Sequence, residues 1–314
     1  MKKIGLLLVL LLAFDAWGQV SDALSSVVRG GNPKLVSEAL KQGFFIDERD
    51  KDGLTALMWG VRVNVALSVV KQLVDAGADI NAKDNSGSTA LMWAAEKNRN
   101  PAVISYLLEK GAFVDETDNN GTTALMWAAV YNSKQTVDLL LSADADVNVR
   151  DASGMTPLMW AAKSNKDAAV IQALLEAGAN LYERGEQDET PLMLASQENS
   201  SAAVLNRLIE AGANVFDHDG NGSTALMWAA YNNKNVPIIE VLLENGSEVN
   251  EQNNEGKTAL MLAAEHNENP QVIQRLLDAG ADIRLQDNDG KTAWDYALKN
   301  KKLEKSSVLT ALKN

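Results

Sequence analysis

The stretch Gly87-Ser88-Thr89-Ala90-Leu91-Met92-Trp93-Ala94-Ala95 recurs with few changes along most of the 314-residue chain. Its threonine returns as Thr55, Thr123, Thr156, Thr190, Thr224, Thr258 and Thr292, at spacings of 34 residues broken once by 33. A fixed period of this length marks a solenoid, in which each module buries its apolar flank against the next. We name each module by its threonine.

Every module has the same parts. A turn carrying glycine comes first, at Gly53, Gly87, Gly121, Gly154, Gly222, Gly256 and Gly290. The threonine follows as a helix N-cap, where its hydroxyl can accept a free backbone N–H. A short inner helix comes next. Asn64, Asn98, Asn132, Asn165, Asn199, Asn233 and Asn267 then stand after it, and asparagine tolerates the left-handed conformation that ends a helix. A second, outer helix starts near Asn100-Pro101 or Asn269-Pro270, with Asn as cap and Pro at the first helical position. It carries apolar residues such as Val103, Ile104, Leu107 and Leu108 and stops at Gly77, Gly111, Gly178, Gly212, Gly246 or Gly280. Asp144 replaces that glycine in the short module, at a steric cost if the backbone is left-handed there. The Thr190 module departs most: it lacks the glycine before its threonine and adds charge over residues 183–189.

This pattern resembles the ankyrin repeat, with its Gly-x-Thr-Pro-Leu-His-x-Ala-Ala opening, Leu-Leu outer helix and Gly-Ala-Asp-Val-Asn exit. The resemblance covers about residues 50–300 and implies an all-α solenoid, an ankyrin stack of about nine helix pairs with β-turn fingers. Residues 19–50 are expected to form an N-terminal capping pair, 51–291 the repeats and 292–314 a C-terminal capping repeat, because end modules must meet water on one face. The family's histidine is methionine here in seven modules, at Met58, Met92, Met126, Met159, Met193, Met227 and Met261. We read these as core, since methionine packs adaptably beside aromatic rings.

At about 100° per residue, Leu91, Ala94 and Ala95 form one stripe of the inner helix, Met92 lies beside it and Trp93 nearly opposite. The Trp93 slot holds Trp59, Trp127, Trp160, Leu194, Trp228, Leu262 and Tyr296 in the other modules. The resemblance places this slot on a concave palm below the fingers, as a ladder of rings. Such rings either pack under their own finger as scaffold or face a partner, and a half-covered ring does both. The expected partner-binding residues on palm and fingers are Trp59, Trp93, Trp127, Tyr131, Trp160, Lys163, Tyr182, Trp228, Tyr231 and His266, with Glu96, Lys97 and Glu198 also on the palm and Lys83, Asp84, Arg150, Asp151, Glu186, Asp188, His218, Asp219, Gln252 and Asp287 at the finger tips.

Composition narrows the chemistry. The chain is 46% apolar and 23% charged, which suits a folded protein, and its net charge of −13 argues against broad binding to phosphate backbones or anionic membranes. Cysteine is absent, which excludes disulfides, thiolate metal sites and a cysteine nucleophile. His218 and His266 are the only histidines, little material for a zinc site or a Ser-His-Asp triad. Asp217-His218-Asp219-Gly220-Asn221-Gly222 opens like a calcium loop, but Trp228 stands where the twelfth-position Glu belongs. Gly256-Lys257-Thr258 and Gly290-Lys291-Thr292 end like a P-loop without its first glycine. We expect no cofactor, no metal and no catalytic residue.

Met1-Lys2-Lys3, an apolar run from Ile4 to Phe14, and small residues Ala16 and Gly18 match a secretory leader over residues 1–18. The run is too short to span a bilayer. The expectation is a chain exported to the periplasm, or secondly to the medium, with no membrane span after cleavage after Gly18. Its function would be that of a monomeric, non-catalytic scaffold or accessory binding a protein partner and no nucleic acid. The alternatives are a secreted effector that binds a host or competitor protein, and a saccharide binder that uses the tryptophan ladder.

Overall fold

The computed structural model describes residues 23–304 and 306–313; the segment read as a leader lies outside them. Eighteen helices occur among the described residues, in nine inner–outer pairs. They belong to two compact units, one ending at Asp146 and the other beginning at Val147. No described helix is long and apolar enough to cross a membrane.

The first unit contains inner helices Ala23–Arg29, Ala56–Arg62, Ala90–Lys97 and Ala124–Tyr131, and outer helices Pro33–Lys41, Leu67–Asp75, Pro101–Glu109 and Lys134–Leu141. Each inner helix packs on the next inner helix and on its own outer helix, so the unit has two layers. The second unit repeats this with inner helices Pro157–Ser164, Pro191–Glu198, Ala225–Asn232, Ala259–His266 and Ala293–Ala297. Its outer helices are Ala168–Glu176, Ala202–Glu210, Val236–Glu244, Pro270–Asp278 and Val308–Lys313. The pair Ala23–Arg29 and Pro33–Lys41 falls within the segment 19–50, and the pair Ala293–Ala297 and Val308–Lys313 within 292–314.

The helical wheel is obeyed. Leu91, Met92, Ala94 and Ala95 are buried, and Trp93 is half-buried. Val103, Ile104 and Leu107 of the outer helix are fully covered from the other side. Each such leucine contributes about 2 kcal/mol by leaving water. The methionines are core: all seven are at most 2% exposed. Each donates its backbone N–H to the capping threonine hydroxyl, as Met92 does to Thr89 at 3.4 Å. In three modules the sulfur also accepts the threonine N–H, at 3.4 Å for Thr55–Met58 and Thr190–Met193 and 3.5 Å for Thr89–Met92. The methionine thus closes a capping box in the place where the family carries histidine.

The asparagines that follow the inner helices correct the sequence reading. Asn64 is left-handed, with φ 58°. Asn98 (φ −90°, ψ 124°), Asn199 (φ −77°, ψ 135°) and Asn233 (φ −79°, ψ 121°) are extended, as are Asn132, Asn165 and Asn267. The physical reason is the side chain. An extended backbone aims the amide at the preceding module: Asn98 Nδ2 donates to the Val61 carbonyl at 3.0 Å, and Asn233 Nδ2 to those of Ser196 and Asn199 at 2.9 and 2.8 Å. Asn98, Asn132, Asn199, Asn233 and Asn267 in this way stitch neighbouring inner helices together within their units.

A second ladder joins the fingers. Asn119 donates its backbone N–H to Ser86 O at 2.9 Å and its amide to Asn85 O at 3.1 Å. Asn254 does the same toward Asn221 and Gly220. This close approach explains the turn glycine. Gly222 has φ +74°, and a Cβ there would sit 2.6 Å from Asn254 Oδ1. Asp144, as expected, takes the left-handed conformation in the short module, at φ 61°.

The Thr190 finger keeps its shape with different bonds. Asp188 supplies the left-handed residue, φ 63°, where other modules have glycine. Gly185 stands where most have aspartate, and a Cβ there would meet Glu189 Oε1 at 2.4 Å. The Glu189 carboxylate fills that space and accepts the Gln187 N–H at 2.8 Å.

Candidate binding surface

The fingers and the rings are one construction. Asp84 Oδ1 accepts the backbone N–H groups of Ser86 and Ser88 at 2.9 Å each, which closes the finger turn. Its Oδ2 accepts the Trp93 indole N–H at 2.9 Å. The same bond joins Trp59 to Asp50 at 2.7 Å, Trp160 to Asp151 at 2.8 Å and Trp228 to Asp219 at 2.9 Å. In the last module the Tyr296 hydroxyl donates to Asp287 Oδ2. Where the ring is replaced by Leu194 or Leu262, the residue nine positions earlier is Gly185 or Asn253 rather than aspartate. Ring and acid therefore change together from module to module. Asp219, the centre of the calcium-like stretch, is occupied by this work.

Burial raises the Tyr296 hydroxyl's pKa, and its bond to Asp287 raises it further. Burial alone would push Asp287 up, but the Tyr296 hydroxyl and the N–H groups of Lys291 and Asp289 outweigh it and hold the carboxyl below its ordinary 3.8. A carboxylate with a depressed folded pKa stabilises fully above the unfolded pKa and loses that contribution as pH falls through the folded one. Asp287→Asn is therefore expected to lower Tm at neutral pH, with the gap closing below about pH 4. A gap of constant size across thermal melts from pH 7 to pH 2.5 contradicts this.

The expected palm residues fall into three groups. Trp59, Trp93, Trp127, Trp160 and Trp228 are half-buried on the inner helices. Trp127 has no bond of the Trp–Asp kind; its ring stacks on Tyr131, centroids 6.0 Å apart. Tyr131 is 54% exposed and Tyr231 40%, and Tyr231 lies 4.4 Å from the His266 ring, tilted against it. Lys163 is half-buried, 5.9 Å from the Trp160 centroid and 3.3 Å from Glu198. Tyr182 does not join them. It belongs to the exit from an outer helix, and its hydroxyl lies 3.4 Å from where a Cβ of Gly212 would be, at the end of the next outer helix. Tyr182 and Phe216 replace, in successive modules, the exit asparagine that elsewhere bonds the next module, as Asn148 does with Asn180 N at 2.8 Å.

The finger-tip candidates act as struts. Lys83 Nζ donates to Thr117 O at 3.0 Å, and Gln252 Nε2 to Gln286 O at 2.9 Å. Arg150 reaches Arg184 O and Glu183, each at 2.6 Å. His218 Nε2 lies 2.6 Å from Glu251 Oε1.

The two leucines leave gaps in the ring ladder, and the gaps differ. Over Leu194 the space is taken by Met155, which packs with Met159 and Leu194 against Trp160. In the Thr224 module the residue equivalent to Met155 is Ser223, and the space over Leu262 stays open. It is a hollow of about 430 Å³ walled by Trp228, Tyr231 and His266, with Lys257 and Glu255 at the rim.

The sequence places Asp84, Asp151, Asp219 and Asp287 at the finger tips as partner contacts, but their carboxylates turn inward onto the ring of their own module, because each accepts its indole N–H or phenol O–H. That bond was legible in the module-to-module covariation of ring and acid, and Arg62 was missed. Arg62 shares the register of Lys163 and Tyr231, seven residues after the threonine, which was the available signal.

A search of curated proteins finds no match. The family model for ankyrin repeats (3 copies) matches residues 5–84, 63–151, 158–253 and 226–312. The helix pairs, finger turns and Gly-terminated outer helices fit that match, and the chain belongs to the ankyrin-repeat family.

Proposed function

We propose that this chain is an exported, non-catalytic module that holds a protein partner against its inner helices and fingers. Ankyrin repeats mediate protein–protein interaction and are typically non-catalytic, which supports the coarse reading. The observation that carries the finer one is a division of labour. Finger carboxylates, bridging asparagines and four indole N–H groups are consumed inside the frame. Tyr131 and Tyr231 stand exposed beside the rings and make no hydrogen bond among the described residues. Rigid aromatic side chains beside a preformed surface are what interface hot spots use, since little ordering entropy opposes association. The hollow over Leu262 adds a place for one partner side chain. Acidic fingers favour a basic or neutral partner surface above them. A sugar track is less well served, because four of the ladder's indole N–H groups are committed to finger aspartates.

Tyr131→Ala with Tyr231→Ala is expected to weaken capture of the partner from an envelope extract about tenfold. Tm should stay within about 2 °C, since surface changes cost about 0.5 kcal/mol or less. Equal capture by variant and wild type contradicts the reading. Export rests on the lysine pair, the apolar run and the small residues of the N-terminal segment. Fractionation into cytosol, periplasm and medium tests it: recovery in the periplasm supports a scaffold, recovery in the medium a released effector, and full-length protein in cytosol alone sinks it.

A further inference from the structure

In a chain with 42 acidic residues against 29 basic ones, Arg62 stands without an acid. It is half-buried at the end of the inner helix of the Thr55 module and makes no ion pair or hydrogen bond through its side chain among the described residues. Other arginines are engaged: Arg150 and Arg184 by neighbouring fingers, Arg275 by Glu240 and Arg284 by Asp282. Lys163, in the same register, pairs with Glu198.

Arg62 is nonetheless held in place. Its guanidinium carbon lies 4.9 Å from the Trp59 centroid and 4.5 Å from that of Trp93, between rings of successive modules. Arg29 stands over Trp59 as well, at 4.7 Å. Both indoles are fixed by their finger aspartates, at 2.7 and 2.9 Å. Cation–π attraction supplies a place for the charge, but the rings accept none of the five guanidinium N–H donors as a carboxylate does. A stacked guanidinium has its planar fork pre-organised, and that fork matches a carboxylate bidentately. Lys97 continues the basic row, 5.7 Å from the Tyr131 centroid, although Glu96 pairs with it.

We infer that Arg62, clamped by Trp59 and Trp93, receives a carboxylate from an acidic segment of the partner protein. The inference rests on the palm reading and specifies its chemistry in the first unit. A long phosphate backbone is disfavoured because it would extend beyond Arg62 along a chain of net charge −13, a repulsion that a short acidic segment seated on Arg62 meets far less.

The test uses the full chain and acetylated, amidated hexaglutamate, read by indole fluorescence and thermal melting. Saturable binding is expected, weakened about tenfold or more in Arg62→Gln and in part restored in Arg62→Lys, which keeps the charge and loses the fork. Any response to hexalysine, which the acidic fingers can attract, should be the same in wild type and Arg62→Gln, and Tm should be similar in all three proteins. Equal binding of hexaglutamate by wild type and Arg62→Gln overturns the inference, as does no binding, or tighter saturation by inorganic phosphate or a short oligonucleotide. Arg62→Gln in the capture assay separates this from the palm reading. Capture lost with the tyrosine variants but unaffected by Arg62→Gln leaves the palm standing and removes the carboxylate receptor.

Discussion

Asp84→Ala is expected to destabilise the first unit by about 3 kcal/mol. The carboxylate is 7% exposed and accepts from Ser86 N, Ser88 N, the Ser86 hydroxyl and the Trp93 indole. Its removal leaves several donors unpartnered in a place where water reaches poorly, and each buried orphan costs about 1–3 kcal/mol. Trp93→Phe removes one donor and keeps most of the ring, so its cost should be about 1 kcal/mol. In a double-mutant cycle the two changes should not add: once Asp84 is gone, the indole N–H has nothing to lose, and a coupling of about 1 kcal/mol is expected. Denaturant melts of the four proteins measure this. Additive losses, or an Asp84→Ala cost near that of a surface change, would show that ring and finger are independent.

Asn233→Ala is expected to cost about 2–3 kcal/mol, and to cost it between modules rather than within one. The side chain is 7% exposed, donates to Ser196 O and Asn199 O at 2.9 and 2.8 Å, and accepts Asn235 N at 3.0 Å. Two carbonyls of the Thr190 module and one N–H of its own lose their partner together. In a repeat array, stability is the sum of module and nearest-neighbour contributions, so losing a bridge lowers cooperativity as well as Tm. The melt should broaden, and hydrogen exchange should quicken first around residues 196–199. Asn64→Gly is the contrasting case. Asn64 is exposed with φ 58°, where glycine fits without strain. That change should be close to neutral. A sharp transition at reduced Tm for Asn233→Ala, with uniform exchange, would place the loss inside the module instead.

The fold was legible because its signals are local and repeated. Period, capping threonines, terminal glycines and the apolar stripe each survive in nearly every module, and the helix pairs follow them. The asparagines were misread because one residue type serves two ends: a left-handed cap at Asn64, a bridge at Asn98 and Asn233. Only the neighbouring module decides between them. Tyr182 was counted with the palm and finger residues because it lies in the divergent stretch 180–190, yet register puts it four residues after Gly178, on the exit from an outer helix. The ring–aspartate bond spans nine residues, outside any helical or turn spacing, and shows in the sequence only when modules are compared. Arg62 was hidden by its ordinariness, since its meaning lies in the acids that fail to approach it.

We propose that recognition sits on the inner-helix face, on side chains the frame does not employ. The most direct measurement is site-specific photo-crosslinking in the producing cell, with p-benzoylphenylalanine placed in turn at positions 131, 231, 182 and 216. One abundant protein adduct is expected, shared by 131 and 231 and absent from 182 and 216. Adducts confined to 182 and 216, or none from 131 and 231, would move recognition to the outer-helix exits and contradict it.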